Sequence, residues 1–391
     1  MKFSLRAGSA PARVLSVLAA AVLSTIFCTH ICSAERSGPD ISAKGAIVIS
    51  AETGDVLFAA NADKKLPMAS TTKIMTTILA IEHADLDASF TVDPEAVKTE
   101  GSSMGLKEND KVTLRDLCYG MMLPSGNDAA NCTAVRIAGS VDGFVELMNA
   151  KASALGLRNT HFVTPSGLDD YTDEHYSTAS DMAKLTRYAM KNKTFEKICS
   201  SRSVKLCFGD PPYDRWLTNT NKLLKNCHGV IGVKTGFTDK AGRCLVSCCE
   251  RNGSRLICVT LGDKNDWRDH SVLYDSCFPK VAVCTLDAGR KDLCVSVVGS
   301  ERDTLGCSVP TVSVSLVKGS EKNVRTVVKL PPFVYAPVRK GERLGSVEYW
   351  YNGEMIAQSD ITAACDAKRC SADSGEAFGE IRKILVRLFS R

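Results

Sequence analysis

Three short polar motifs, far apart in the chain, constrain this sequence more than anything else in it: Ser70-Thr71-Thr72-Lys73, Ser125-Gly126-Asn127 and Lys234-Thr235-Gly236. Each is weak alone. A Ser three residues ahead of a Lys is usually a helix cap followed by a solvated lysine, and Ser-Gly-Asn is usually a turn. Together they ask for a fold that brings a helix start, a turn and a strand edge to one place. Ser70 opens the stretch 71–82, which reads as a largely buried helix, so Lys73, one turn on, faces the same side. A serine hydroxyl is a poor nucleophile until a base takes its proton. Lys73 can do so only as the neutral amine, whereas a free lysine titrates near about 10.4. Burial and a second cation both lower that value, and Lys234 is the candidate cation.

The two ends of the chain stand outside such a fold. Lys2, Arg6 and Arg13 precede an apolar run, and Cys32-Ser33-Ala34 supplies small residues before Glu35, so 1–34 reads as a secretory signal cleaved after Ala34. An uncleaved anchor is the alternative, disfavoured because the run is short for a span. At the other end, Phe378, Ile381, Ile384, Leu385, Val386, Leu388 and Phe389 fall mostly at helical spacing, with Arg382, Lys383, Arg387 and Arg391 on the polar side. Beyond the Ser/Gly-rich stretch 371–375 this reads as a basic amphipathic helix that lies on a membrane surface, rather than one packed on its own domain. It is too short and too charged to span a bilayer.

Between the ends, 46–50 and 56–59 flank Glu52-Thr53-Gly54-Asp55 as a hairpin. Helical patterns recur at 114–122, 128–138, 141–154 and 180–191. After Gly229 strands take over, and Asn252-Gly253 joins 242–249 to 255–261 as a second hairpin. The first domain, 35–298, is therefore α+β, an antiparallel sheet with a helical cluster inserted between its strands. From 299 to 370 the stretches 311–316, 324–330 and 344–351 read as strands of a small all-β domain without reactive side chains of its own. A formal charge of +5 over 391 residues gives no reason to expect a nucleic-acid partner. Of 17 cysteines, all but Cys28 and Cys32 lie after the signal. Their number there is odd and their spacing shows neither a disulfide framework nor a metal site. Cys248 and Cys249, adjacent in a strand, point to opposite faces.

Ser-x-x-Lys, Ser-Asp-Asn and Lys-Thr-Gly form the signature of penicillin-binding proteins and related β-lactamases, and Ser125-Gly126-Asn127 stands here in the place of Ser-Asp-Asn. Several further stretches strengthen the likeness: Met68-Ala69-Ser70-Thr71-Thr72-Lys73-Ile74-Met75-Thr76, Gly101-Ser102-Ser103, Asn127-Asp128-Ala129-Ala130, Leu155-Gly156-Leu157-Arg158-Asn159-Thr160-His161-Phe162, Asn219-Thr220-Asn221-Lys222 and Gly232-Val233-Lys234-Thr235-Gly236-Phe237-Thr238. The chain resembles a low-molecular-mass penicillin-binding protein, a serine D-alanyl-D-alanine carboxypeptidase, over most of its mature length. The resemblance implies the serine β-lactamase/DD-peptidase-like fold followed by a β-rich stalk. It also implies removal of the terminal D-alanine from peptidoglycan stem peptides, and acylation by penicillins at Ser70.

In that setting Lys73 is the general base and Ser125 relays the proton to the leaving amine. Asn127 orients the substrate's amide, and Lys234 with Thr235 holds a carboxylate. Gly236 lets backbone approach the substrate, and the N–H groups of Ser70 and Phe237 form the oxyanion hole. Arg268 is the nearest candidate for the further carboxylate-binding Arg common in the family. Ser166-Gly167-Leu168 departs from a frequent His-Gly-Leu, and the cysteine load is unusual. No metal or cofactor is expected. The expected location is the outer face of the cytoplasmic membrane, reached by export. The alternatives are an endopeptidase of cross-links, a serine β-lactamase and a non-catalytic wall-binding scaffold. The lactamase lacks support: Glu174 and Glu196 are the only glutamates between Leu155 and Thr220, and neither has a Glu-x-x-x-Asn setting.

Overall fold

In a computed structural model describing residues 38–169, 172–289, 292–370 and residue 386, all elements lie in the compact unit from Asp40 onward. The expected signal, 1–34, lies outside the described residues, as does the expected anchor segment apart from residue 386. The predicted first hairpin is present as β1 (Gly45–Ser50) and β2 (Val56–Ala60). A 3-10 turn, Ala69–Thr72, then leads into α1 (Lys73–His83). Next come β3 (Ser89–Thr91), β4 (Lys111–Thr113), α2 (Leu114–Met122), α3 (Asn127–Ala138) and α4 (Val141–Ala154). α5 (Ala179–Met190), α6 (Lys193–Ser200), the β5 (Ser203–Gly209)–β6 (Pro212–Thr218) hairpin and the short α7 (Leu223–Asn226) follow. β7 (Val230–Thr238), β8 (Gly242–Arg251), β9 (Ser254–Leu261) and α8 (Asp266–Cys277) complete the catalytic half.

Local chemistry explains these bounds. Thr113 Oγ1 accepts from the Asp116 N–H at 3.1 Å while the Asp116 carboxylate accepts from the Thr113 N–H at 2.9 Å, a reciprocal cap that starts α2. Gly139, at φ +76°, ends α3 in the left-handed conformation that a glycine adopts without a Cβ clash. Asn252 and Gly253, both at positive φ, make the tight turn between β8 and β9.

The sheet has the order β2-β1-β9-β8-β7, antiparallel throughout. Its strands are apolar on both faces because both are covered. Ile47, Ile49, Val246, Cys248, Ile257 and Val259 pack with the helices α1–α6 in the main core. Val48, Leu245, Cys249, Leu256 and Cys258 pack under α8 with Leu273, Tyr274 and Cys277. Cys248 and Cys249 thus serve opposite cores, as strand alternation requires.

Between β8, β9 and α8 lies a closed polar network. Ser247 Oγ is 2.6 Å from both His270 Nδ1 and the Tyr274 hydroxyl, and His270 Nε2 is 3.0 Å from Thr260 Oγ1. All four residues are fully buried, so this Ser–His pair braces the sheet and cannot meet a substrate.

The α+β expectation holds for this half, and the rest is all-β. A six-stranded sheet has the order β14-β16-β17-β12-β11-β15, comprising β11 (Cys294–Val298), β12 (Thr304–Ser308), β14 (Arg325–Lys329), β15 (Phe333–Tyr335), β16 (Arg343–Tyr351) and β17 (Glu354–Ala363). β10 (Val281–Leu286) pairs with β13 (Val312–Val317) beside it. β11 lies just ahead of the boundary expected at residue 299, and it is hydrogen-bonded into this sheet. The β16–β17 turn rests on the catalytic half. There Arg187 donates to both Glu354 carboxylate oxygens, at 3.1 and 2.7 Å, and to the Ala51 and Glu52 carbonyls.

Burial lowers the pKa of His270 from its ordinary 6.5 to about 3. The unfolded chain therefore binds a proton below pH 6.5 that the folded one refuses until near pH 3. Stability is complete above that window and is lost as pH falls through it. Calorimetry should show the thermal midpoint falling from pH 6.5 towards pH 3, with a shallower fall in His270→Gln; an equal slope in the variant would remove His270 as a source.

Candidate active site

The first surprise is the turn that carries Ser70. Ser70 stands at the helix start that the sequence predicts, in the 3-10 turn that runs directly into α1, but behind Ala69 at φ +48°, which no motif foretold. A positive φ at a non-glycine residue costs on the order of 1–3 kcal/mol and persists only when the surroundings enforce it. Two glycines enforce it here. A Cβ on Gly167, itself at φ +92°, would stand 2.1 Å from the Ala69 carbonyl oxygen. A Cβ on Gly236 would stand 3.1 Å from the Ser70 nitrogen and 3.2 Å from Ala69 Cβ. The 164–169 loop and β7 thus press on the turn from separate directions: Gly167 leaves no room for a Cβ, and at Gly236 the turn would have to give by a few tenths of an ångström.

Lys73 is fully buried and gathers the site. Its Nζ lies 2.9 Å from Ser70 Oγ, 2.7 Å from Asn127 Oδ1 and 2.6 Å from the Ser166 carbonyl oxygen. Burial, and then the neighbouring Lys234, hold its pKa well below the ordinary lysine value, with Asp128 opposing. A neutral amine has two N–H donors and one lone pair. With the donors on Asn127 Oδ1 and the Ser166 carbonyl, the lone pair faces the Ser70 hydroxyl, the arrangement a base needs. The Ser166 contact goes through backbone, while Ser166 Oγ accepts from the Leu168 N–H at 3.3 Å. The departure from His-Gly-Leu therefore leaves the Lys73 contact intact.

Ser125, at φ +69° and largely buried, occupies the bend between α2 and α3. Asn127 begins α3, and its Nδ2 donates to the Glu100 carbonyl at 2.7 Å, so both ends of its amide already have protein partners. Behind it the buried Asp128 carboxylate accepts from the N–H groups of Met104, Gly105 and Leu106 at 3.0–3.1 Å, fixing the 101–106 loop.

Lys234 lies on β7 with Nζ 2.8 Å from the Thr235 carbonyl oxygen, and burial brings its pKa to about 7. Thr235 Oγ1 shares a 2.8 Å hydrogen bond with Thr220 Oγ1, and the Phe237 side chain is exposed. The structure thus brings Ser70, Lys73, Asn127, Lys234 and Gly236 together. Arg268, exposed on α8, bonds Asp269 at 3.1 Å rather than any member of this group.

Sequence reasoning misses His175. Its Nδ1 accepts from the Val163 N–H at 2.9 Å, which leaves the ring proton on Nε2, 2.8 Å from Thr72 Oγ1. Thr72 Oγ1 donates on to the Ala69 carbonyl at 2.8 Å. Burial holds His175 at about pKa 4, so it is a neutral brace under the nucleophile turn. A lone His in a polar stretch carries no motif, and only its place in space reveals it.

Comparison with known proteins agrees with this geometry. The sequence profile of the D-alanyl-D-alanine carboxypeptidase family matches residues 32–265, and that of the penicillin-binding protein 5 C-terminal domain matches 294–369. A D-alanyl-D-alanine carboxypeptidase of Bacillus subtilis, DacF, is 32% identical over 339 residues, 84% of this chain and 86% of the relative. Its Escherichia coli K12 counterpart DacA is 30% identical over 408 residues, 97% of each. Among solved structures, penicillin binding protein 5 from Haemophilus influenzae superposes with a TM-score of 0.60 at 28% identity, covering 85% of this chain and 99% of that one. The Streptomyces K15 DD-transpeptidase gives 0.59 at 34%, covering 62% and 99%.

The glycine clamp makes a sharp prediction. Gly167→Ala should slow acylation of Ser70 by a β-lactam about a hundredfold, because a displaced turn misplaces the nucleophile. Gly156→Ala is the control: φ there is +69° but nothing lies within 4 Å of the new Cβ. It should lose some stability and keep its acylation rate; equal rates in the two variants would contradict the clamp.

Proposed function

The chain belongs to the D-alanyl-D-alanine carboxypeptidase family, and from that membership we propose how its residues divide the reaction. It is a serine-type hydrolase that removes the terminal D-alanine from peptidoglycan stem peptides, in a family where β-lactam binding is typical. Ser70 Oγ attacks the carbonyl of the penultimate residue as Lys73 takes the hydroxyl proton. The N–H groups of Ser70 and Phe237 receive the developing oxyanion. Ser125 passes the proton to the departing D-alanine amine, and water, activated by Lys73, then releases the acyl group. Lys234 and Thr235 hold the substrate's terminal carboxylate, while Asn127 orients its amide through the Nδ2 hydrogen that Glu100 does not use.

The observation that carries this reading is the 2.9 Å contact between Ser70 Oγ and a buried Lys73 whose pKa is well depressed. A lactamase-like second base has no support among the glutamates named above. Glu196 is committed to Arg255 at 3.1 Å and Lys193 at 3.0 Å.

Incubation with a stem pentapeptide should release D-alanine at steady state, and Ser70→Ala should release none and take up no β-lactam. Lys73→Arg keeps the charge but supplies no neutral amine, so acylation should slow by orders of magnitude. Lys234→Arg should be milder and act mainly on KM for substrates with a free carboxylate. The reverse ranking would exchange the two roles.

We further propose that the chain is exported and held on the outer face of the cytoplasmic membrane by the amphipathic segment 378–391, with the β-rich part as a stalk. The supporting observation is the sequence pattern of that segment. Among the described residues, no helix is long and apolar enough to cross a membrane. Deleting 374–391 should move the protein to the soluble exported fraction with its activity on a small peptide intact; retention on membranes after signal cleavage would place the anchor elsewhere.

A further inference from the structure

All 15 described cysteines are free thiols. Several, such as Cys118 and Cys244, are small core residues whose burial pushes their pKa up to about 12. One pair is built differently. Cys227 closes α7, and its carbonyl accepts from the N–H of Val230, the first residue of β7, at 3.3 Å. Val230 in turn pairs across the sheet with Cys249 on β8. The short loop from Cys227 to Val230 thereby brings the Cys227 side chain into one cluster with that of Cys249, whose thiol donates to the carbonyl of His228, the residue next to Cys227, at 3.4 Å.

A cation stands over them. Arg251 Nη2 donates to Cys227 Sγ at 3.5 Å, and its Nε donates to the His228 carbonyl at 3.2 Å. Its Nη1 donates to Asp275 at 2.7 Å, and the guanidinium lies 5.0 Å from the Phe278 ring centre. The neighbouring Cys249 thiol and then the Arg251 guanidinium bring the Cys227 pKa down to about 6 against the opposing effect of its burial. Cys227 is 8% exposed and Cys249 is 0% exposed, so an outside reagent reaches Cys227 first.

We propose that Cys227 and Cys249 form a thiol–disulfide exchange site, in which Cys227 attacks a low-molecular-mass disulfide of the glutathione type and Cys249 resolves the adduct into an internal disulfide. In the first step the Cys227 thiolate bonds to one sulfur of the reagent, and the other sulfur leaves as a thiolate. The negative charge on the Cys227 sulfur beside Cys249 is then gone, so Cys249 ionises more easily. Its thiolate attacks Cys227 Sγ and expels the second thiolate of the reagent. Two protein thiols are oxidised, one external disulfide is reduced to two thiols, and the Cys249 proton ends on a leaving thiolate. The other face of this sheet carries the main core, and none of the catalytic residues takes part.

The full-length protein, treated with oxidised glutathione at pH 7 and digested without reduction, tests this by mass spectrometry. A peptide joining Cys227 to Cys249 is expected. Cys249→Ser should stop at a glutathione adduct on Cys227, and Cys227→Ser should leave Cys249 unmodified. Arg251→Gln should slow the first step about tenfold by raising the thiol pKa, with labelling of the exposed Cys207 unchanged. Absence of the Cys227–Cys249 peptide from the wild-type digest while Cys207 or Cys294 reacts overturns the proposal. So does an adduct rate on Cys227 that ignores Arg251. β-Lactam acylation of Ser70 in the same sample reports that the protein is folded, and it stands or falls independently.

Discussion

Taking a lysine amine wholly out of water is costly unless its hydrogens find acceptors, and Lys73 finds them only where three separate stretches of chain converge. Ser70 comes from the turn before α1, Asn127 from the start of α3 and Ser166 from the loop after α4. Of these partners only Ser70 is near Lys73 in sequence. The buried amine therefore acts as a fastener for the helical cluster as well as a reactive group. The same desolvation that makes it costly also favours its neutral form, so structural cost and chemical use are two sides of one burial.

Around that amine the backbone is held away from its preferences. Ala69 and Ser125 both take positive φ without being glycine. What holds them is neighbouring structure: Gly167 and Gly236 against Ala69, and the Asp128-bound loop against the bend at Ser125–Asn127. His175 adds a third layer through Thr72. Rigid support for a strained turn is what a nucleophile needs, because small displacements at a reacting centre cost large factors in rate.

The parts of this arrangement legible in the sequence were those written locally. The β1–β2 and β8–β9 hairpins announce themselves through turn chemistry and flanking apolar runs, and α2, α4 and α5 through periodicity to within a residue. The three motifs marked the site because each holds its residues within one turn or one strand. What stayed hidden was non-local. The turn at Ser70 is set by Gly167 and Gly236, each distant in sequence. α8 mixes Asp269, His270 and Tyr274 with Leu273 and Cys277 on its inward face, so a polar network interrupts its apolar stripe. β5 and β6 alternate with charged residues such as Lys205 and Asp214, and their inner face is completed by Arg215 lying on Gly105 and Asp110. In the C-terminal half, Asn352-Gly353 was readable as a turn, yet β17 beyond it was not, since Gln358, Ser359 and Asp360 interrupt its apolar character.

β7 ends the sheet order, with β8 on one side and, among the described residues, no strand on the other. Natural sheets usually blunt such a border, yet this one presents Lys234, Thr235 and Gly236 beside Ser70. A peptide laid along it would become a transient sixth strand, gripped through main-chain groups that every peptide possesses. Such a grip is blind to side chains. With the roles proposed above, discrimination would come from the two ends of the guest, where a terminal carboxylate would meet Lys234 and a scissile carbonyl the Ser70 turn. A rigid bicyclic amide carrying a carboxylate offers the same two ends without the rest of the strand, and a sheet border kept open for one guest cannot be closed to the other.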